Sequence, residues 1–212
     1  MFYTITKGHG QNKMKEIFTQ YYLNNSWLDP ESVSGPGSTI EHTIHLQKAI
    51  REIIEKYDIK SILDAPCGDY NWFRLIDRNI TYIGGDIVEP LIKKNQLLYT
   101  NKNTTFRQLD ITKDKLPEVD LMLCRDCWPH FSNEDIFKSI DVFLNSNIKY
   151  LLTTNCGFRE NLDIETGKFR FLNLYMSPFS FDYPLEVIPE WTWKENPPKT
   201  LVLFNKKAIK HE

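Results

Sequence analysis

Asp64, Asp86, Asp110 and Asp126 each close a short apolar or β-branched run, and the first run continues into Pro66-Cys67-Gly68-Asp69. In an open α/β sheet, ligands sit beyond the carboxyl ends of the strands. A glycine there lets the backbone approach the ligand, and a carboxylate about 20 residues on takes a ribose diol in two hydrogen bonds. Asp86 follows Asp64 by 22 positions. The first loop lacks G-x-G-x-x-G, so a dinucleotide pyrophosphate is poorly served and a smaller adenosine ligand is expected. A lone strand-end aspartate is commonly a helix cap; four in register argue for a ligand.

Proton transfer has two candidate groups in Arg125-Asp126-Cys127-Trp128-Pro129-His130-Phe131. His130 is the first choice as proton acceptor, since an imidazole with an ordinary pKa of about 6.5 is neutral at physiological pH, and Asp126 is the second. A further set lies in the irregular stretch 156–184, where Arg159, Asn161, Asp163, Arg170 and Asn173 are interleaved with Phe158, Phe169, Phe171 and Tyr175. Amide and guanidinium donors beside aromatic faces suit a hydroxylated ring, although such groups also anchor their own loops. Trp191 and Trp193 are candidates for a wall of the same site, with edge packing as the alternative.

The elements that must position these groups follow from the hydrophobic pattern. Ser34-Gly35-Pro36-Gly37 and Asp29-Pro30 make residues 1–37 a capping segment of turns. Ser38 with Glu41 forms a capping-box pattern, and Ile40, Ile44, Ile50, Ile53 and Ile54 share a helical face up to about Tyr57. Strand-like runs follow at 60–65, 81–86, 105–109, 119–124, 148–154, 185–189 and 200–204, with crossover helices clearest at 88–100 and 133–146. Strands separated by crossovers form a parallel sheet. The last two runs are too close for a helical crossover and should pair antiparallel.

The order and spacing of the four aspartates resemble class I S-adenosylmethionine-dependent methyltransferases, over residues of about 38–155 and on towards the end of the chain. In that family the first loop holds the methionine part of the cofactor, the second acidic residue the ribose and the third the adenine amino group. The resemblance therefore implies a cofactor wall of Asp64, Ala65, Pro66, Gly68, Trp72, Asp86, Ile87, Asp110, Ile111 and Arg125. It also implies a single Rossmann-like domain over 1–212, with helices on both faces of a seven-stranded, mostly parallel sheet whose last strand is antiparallel. The first loop departs from the family's glycine-rich form, leaving Gly68 alone to permit the close approach.

A narrower likeness lies in Asp64-Ala65-Pro66-Cys67-Gly68-Asp69-Tyr70-Asn71-Trp72-Phe73, Ser34-Gly35-Pro36-Gly37-Ser38 and Arg170-Phe171-Leu172-Asn173-Leu174. These resemble bacterial and large-virus methyltransferases of glycan synthesis, including rhamnose O-methyltransferases. The resemblance implies a sugar or glycan acceptor bound by Arg159, Asn161, Asp163, Arg170 and Asn173. The alternatives are an N- or other small-molecule methyltransferase, and a non-catalytic cofactor-binding module in a glycan-assembly complex. A divalent metal that helps to activate the acceptor has no clear ligand motif to place it.

Composition narrows the partners. Lys and Arg number 26 against 28 Asp and Glu, so no field of one sign gathers nucleic acid. Asn196-Pro197-Pro198-Lys199 resembles the motif of base-methylating enzymes but follows the wrong strand and lacks the closing aromatic; it is expected to be a turn. No run reaches the roughly 18 to 20 apolar residues of a membrane span. A cytoplasmic location is expected, in the host for a viral chain, with Cys67, Cys124, Cys127 and Cys156 as reduced thiols rather than a redox or zinc set.

Overall fold

The computed structural model describes residues 10–76, 79–190 and 198–209. Trp191, Trp193, Asn196 and Pro197 lie outside the described residues.

Seven strands form one sheet: β1 (Ser61–Asp64), β2 (Thr81–Asp86), β3 (Thr104–Gln108), β4 (Leu121–Cys124), β5 (Tyr150–Cys156), β6 (Glu186–Pro189) and β7 (Lys199–Asn205). Their order is β3-β2-β1-β4-β5-β7-β6. β7 runs antiparallel to both β5 and β6, and the other pairs are parallel. Strands are added towards one edge from β1 to β3 and towards the other from β4 to β5, so the carboxyl ends of β1 and β4 border a crevice, the usual ligand position in such a sheet.

Both faces of the sheet are covered, so its central strands read as nearly continuous apolar runs. On one face, α2 (Ile40–Lys56) presents Leu46, Ile50 and Ile53 to Ile62 of β1, Leu121 and Leu123 of β4 and Leu152 of β5. On the other, α4 (Asn133–Leu144) sets Ile136, Ile140 and Phe143 against Leu63, Met122, Leu151 and Phe204. Ser132 caps α4, its hydroxyl accepting from the Asp135 amide. The cap of α2 is Thr39 rather than Ser38: its hydroxyl accepts from the His42 amide, and Pro36–Ser38 instead forms a single 3-10 turn. α3 (Glu89–Tyr99) packs beside β2 and β3.

The largest departure from the sequence reading is α1 (Gly10–Leu23), a helix where only turns were expected. It lacks an acidic first turn, but Met14, Ile17, Phe18 and Tyr21 have helical spacing, and Met14 and Phe18 pack into the core. Between β5 and β6 the chain forms no helix or strand, as expected for 156–184. Leu172, Leu174, Phe179 and Phe181 pin this segment to the core.

Candidate active site

The carboxyl ends of the strands open onto one cavity of about 730 Å³. Its first wall is the β1 loop. Gly68 has φ +53°, and a Cβ there would sit 2.1 Å from the Ser34 hydroxyl, so only glycine fits. Asp69 holds this arrangement in place: its carboxylate accepts from the Ser32 hydroxyl at 3.0 Å, the Val33 amide at 3.0 Å and the Ser34 hydroxyl at 3.3 Å. The turn at 32–38 is thereby fastened over the β1 loop and lines the same cavity.

Asp86 ends β2 with its carboxylate buried, accepting from the amides of Gly68 at 3.1 Å and Val88 at 3.0 Å. Burial pushes its pKa up to about 6, against the opposing pull of those amides. Among the described residues no cation pairs with it. Asp64 is also buried and accepts from the Tyr82 hydroxyl at 2.7 Å. Asp110 differs: its carboxylate accepts from the Thr112 hydroxyl at 2.6 Å and amide at 3.0 Å and pairs with Lys113 at 3.1 Å, organising its own turn while lining the cavity. Pro66, Gly68, Trp72, Ile87, Ile111 and Arg125 line the cavity as well, whereas Ala65 is buried beside Gly85. Leu109 faces Gly85, where a Cβ would come within 2.8 Å of it, so the missing side chain lets an apolar slot close down between β2 and β3.

The loop after β4 carries a buried charge network that the sequence reading did not contain. Arg125 donates to both oxygens of Glu190, at 2.9 and 3.1 Å, and to the Gly37 carbonyl at 2.9 Å. Lys199 bonds Asp126 at 2.6 Å and Glu190 at 2.9 Å, and Arg125 approaches Asp126 at 3.3 Å. Two cations and two anions thus balance. Burial alone would raise the carboxyl pKa of Asp126, but Lys199 and Arg125 hold it well below the usual range. Asp126 also has φ +53°, and its amide is fixed by the Thr154 hydroxyl at 2.8 Å. Such a carboxylate is a weak proton acceptor.

His130 lines the same cavity. Its Nδ1 lies 3.0 Å from the Lys168 carbonyl; a carbonyl can only accept, so Nδ1 carries the proton and Nε2 keeps its lone pair. Burial lowers the imidazole pKa below its ordinary value, with Asp126 pulling the other way. Trp27 and Phe169 flank the ring, with centroids 6.2 and 5.4 Å away.

The segment 156–184 reaches the cavity through Phe169 and Phe171, while Arg159, Asn161, Asp163, Arg170 and Asn173 do not line it. Arg170 is buried, donating to the Phe131 carbonyl at 2.6 Å and Asn133 at 2.9 Å. Asn161 donates to the Asn173 carbonyl at 2.8 Å, Asn173 to the Phe158 carbonyl at 2.7 Å, and Asp163 accepts from the Asn133 amide at 2.7 Å. Arg159 is exposed. All four cysteines are buried free thiols. Among the described residues no group of His, Cys, Asp or Glu could hold a metal ion, and no helix is long and apolar enough to cross a membrane.

No family model matches the sequence, nor does any curated protein. Solved structures do match in fold. Burkholderia thailandensis 1,6-didemethyltoxoflavin-N1-methyltransferase, with 1,6-didemethyltoxoflavin and S-adenosylhomocysteine bound, has a TM-score of 0.65 at 12% identity, covering 97% of this chain and 93% of its own. A Leishmania major S-adenosylmethionine-dependent methyltransferase has a TM-score of 0.64 at 15% identity, with 90% and 82% covered. Human N-acetylserotonin methyltransferase in complex with S-adenosylmethionine has 0.53 at 12%, with 94% and 68% covered. The chain has the Rossmann-like fold of these methyltransferases.

Proposed function

We propose that this chain is an S-adenosylmethionine-dependent methyltransferase acting on a hydroxyl of a small molecule. The observation that carries the reading is one cavity whose wall brings Gly68, Asp64, Asp86 and Asp110 together at successive strand ends, with His130 lining the same cavity. The residues fit the donor. Asp86, buried without a cation, is an acceptor suited to a ribose diol. Ile87, Leu109 and Ile111 form an apolar slot beside it for the adenine, and Pro66 and Gly68 of the β1 loop line the same cavity. Trp72 and Arg125, stacked with ring centroid and guanidinium 5.5 Å apart, close the wall next to the β1 loop.

Methyl transfer from a sulfonium is an in-line displacement, so the protein must align acceptor oxygen, methyl carbon and sulfur and remove the acceptor proton. His130 Nε2 is the group to take that proton, since Asp126 is committed to Lys199 and Arg125. In this reading Asn161, Asp163, Arg170 and Asn173 serve the acceptor site as positioning residues, setting the course of the segment that brings Phe169 and Phe171 to it, while Arg159 is exposed. A sugar hydroxyl, the acceptor implied by the narrower sequence likeness, is the second reading, supported by the aromatic faces at the cavity mouth on which a sugar's C–H face can rest. Calorimetric titration with S-adenosylmethionine and S-adenosylhomocysteine, followed by transfer from labelled donor to a panel of phenols, sugars and amines, tests the proposal. Micromolar binding with transfer is the expected result. Absence of binding by folded protein would overturn it, while binding without transfer to any acceptor would leave a non-catalytic binding module.

A further inference from the structure

Resting on the methyltransferase reading, we infer that the acceptor is a flat aromatic or heteroaromatic ring whose acidic hydroxyl is delivered to His130, rather than a polyhydroxylated sugar chain. The acceptor end of the cavity is walled by Phe18, Trp27, Phe131, Phe169 and Phe171 around the His130 ring. The rings contact one another in sequence: Trp27 to His130 at 6.2 Å, His130 to Phe169 at 5.4 Å, Phe169 to Phe171 at 5.4 Å and nearly perpendicular, and Phe18 to Phe131 at 6.0 Å. Tilted and edge-on rings at these spacings favour a further ring added to the series. Phe169 and Phe171 keep 58% and 41% of their surface exposed, so a flat guest would remove from water apolar area that the chain leaves uncovered.

The polar chemistry points the same way. Recognition of several hydroxyls needs amide or carboxylate forks aimed into the pocket. Those of Asn161, Asn173 and Arg170 are spent on backbone carbonyls and on Asn133. Asp126 and Lys199 line the cavity but are paired with each other at 2.6 Å. His130 Nε2 offers the guest a lone pair, and Tyr22, with its hydroxyl, also lines the cavity. Whatever the basicity of the imidazole, a phenol with a pKa of about 10 gives up its proton more readily than a hydroxyl close to water's roughly 15.7, by about six powers of ten in proton-transfer equilibrium. In the transfer, the ring oxygen forms its bond to the methyl carbon as the methyl–sulfur bond breaks, and the bonding pair stays on sulfur to give the thioether. The hydroxyl proton passes to Nε2 and from there to water, giving the methyl ether and one proton per turnover.

The test uses 2-naphthol, its saturated analogue decahydro-2-naphthol and methyl rhamnoside. Each is titrated into the protein saturated with S-adenosylhomocysteine and followed by calorimetry and tryptophan fluorescence. 2-Naphthol is expected to bind at least tenfold more tightly than either of the others and to accept labelled methyl. Phe169→Leu and Phe171→Leu, changes at exposed rings, should each weaken 2-naphthol about three- to tenfold while S-adenosylhomocysteine affinity stays constant. Equal or tighter binding of the saturated ring or the sugar, no binding of any probe, or unchanged 2-naphthol affinity in both leucine variants overturns the inference and leaves the methyltransferase reading intact. Loss of S-adenosylhomocysteine binding in the folded wild type would instead defeat the reading beneath it.

Discussion

Acidification through pH 6 should release S-adenosylmethionine, because the group assigned to the ribose changes charge there. Asp86 is raised from 3.8 to about 6 by burial, with the neighbouring Asp69 carboxylate adding to the rise and the Gly68 and Val88 amides opposing it. An ionised carboxylate accepts from both hydroxyls of a diol; a protonated one cannot accept both equally well. One unit below the pKa about a tenth of the protein remains ionised, so the dissociation constant at pH 5 should be roughly tenfold that at pH 7.5, or about 1.4 kcal/mol. The stability of the unligated protein should move in the opposite sense. A carboxyl whose folded pKa exceeds its unfolded value opposes folding above pH 6, and that opposition is relieved as pH falls from about 6 towards 3.8, by at most about 3 kcal/mol. Asp86→Asn should bind weakly at every pH and lose both slopes. Because His130 titrates in the same cavity, the calorimetric series is best run in His130→Ala. A flat affinity between pH 7.5 and 5 in that background, or wild-type affinity in folded Asp86→Asn, would refute the assignment.

His130→Ala should keep cofactor affinity at pH 7.5, lose roughly 10² to 10⁴-fold in turnover and lose an acid limb that in wild type falls below pH 6.5, since burial lowers this imidazole; near-wild-type turnover removes His130 from the reaction. Glu190→Ala leaves Arg125 and Lys199 without their shared buried carboxylate and should cost about 3 to 5 kcal/mol in urea unfolding, and a loss under 1 kcal/mol would show that the network is not fixed as described. Gly68→Ala meets the Ser34 hydroxyl and a left-handed backbone at once. Melting should show a loss that Ser34→Gly recovers only down to the roughly 1 to 2 kcal/mol of the conformational part, and a fully tolerated Gly68→Ala would contradict the packing of these two loops.

The sheet was legible in the sequence because its strands are short apolar or β-branched runs separated by polar segments. All seven expected runs became strands, displaced by at most two residues at any boundary. The strand-end aspartates were legible for the same reason, their placement being local. α1 was not, since its amphipathic stripe of Met14, Ile17, Phe18 and Tyr21 has no acidic first turn and precedes a string of turn residues that dominates the pattern. Thr39 displaced Ser38 as the α2 cap because Pro36 starts a 3-10 turn that consumes Ser38. The polar side chains of 156–184 gave a composition compatible with two outcomes, and composition carries no direction. Asn161 and Asn173 turn inward because a long segment without helix or strand must satisfy its own backbone groups.

The choice between Asp126 and His130 as proton acceptor shows where a single sequence stops. The two lie four positions apart on one loop, and their ordinary pKa values already favour the histidine, but basicity in a cavity is set by neighbours. Those neighbours come from distant parts of the chain: Lys199 is 73 positions from Asp126, and Lys168, whose carbonyl fixes the His130 tautomer, is 38 positions away. Lys199 belongs to a stretch whose proline pair reads as a turn, and nothing local connects it to the β4 loop. Antiparallel pairing of β7 with β5 makes the connection, since its register sets Lys199 opposite Cys156 and Thr200 opposite Asn155, at the end of the sheet where Asp126 emerges. The strand order that makes β7 antiparallel thereby delivers the cation that lowers the basicity of Asp126, which is why the proton acceptor proposed above is the imidazole four residues on.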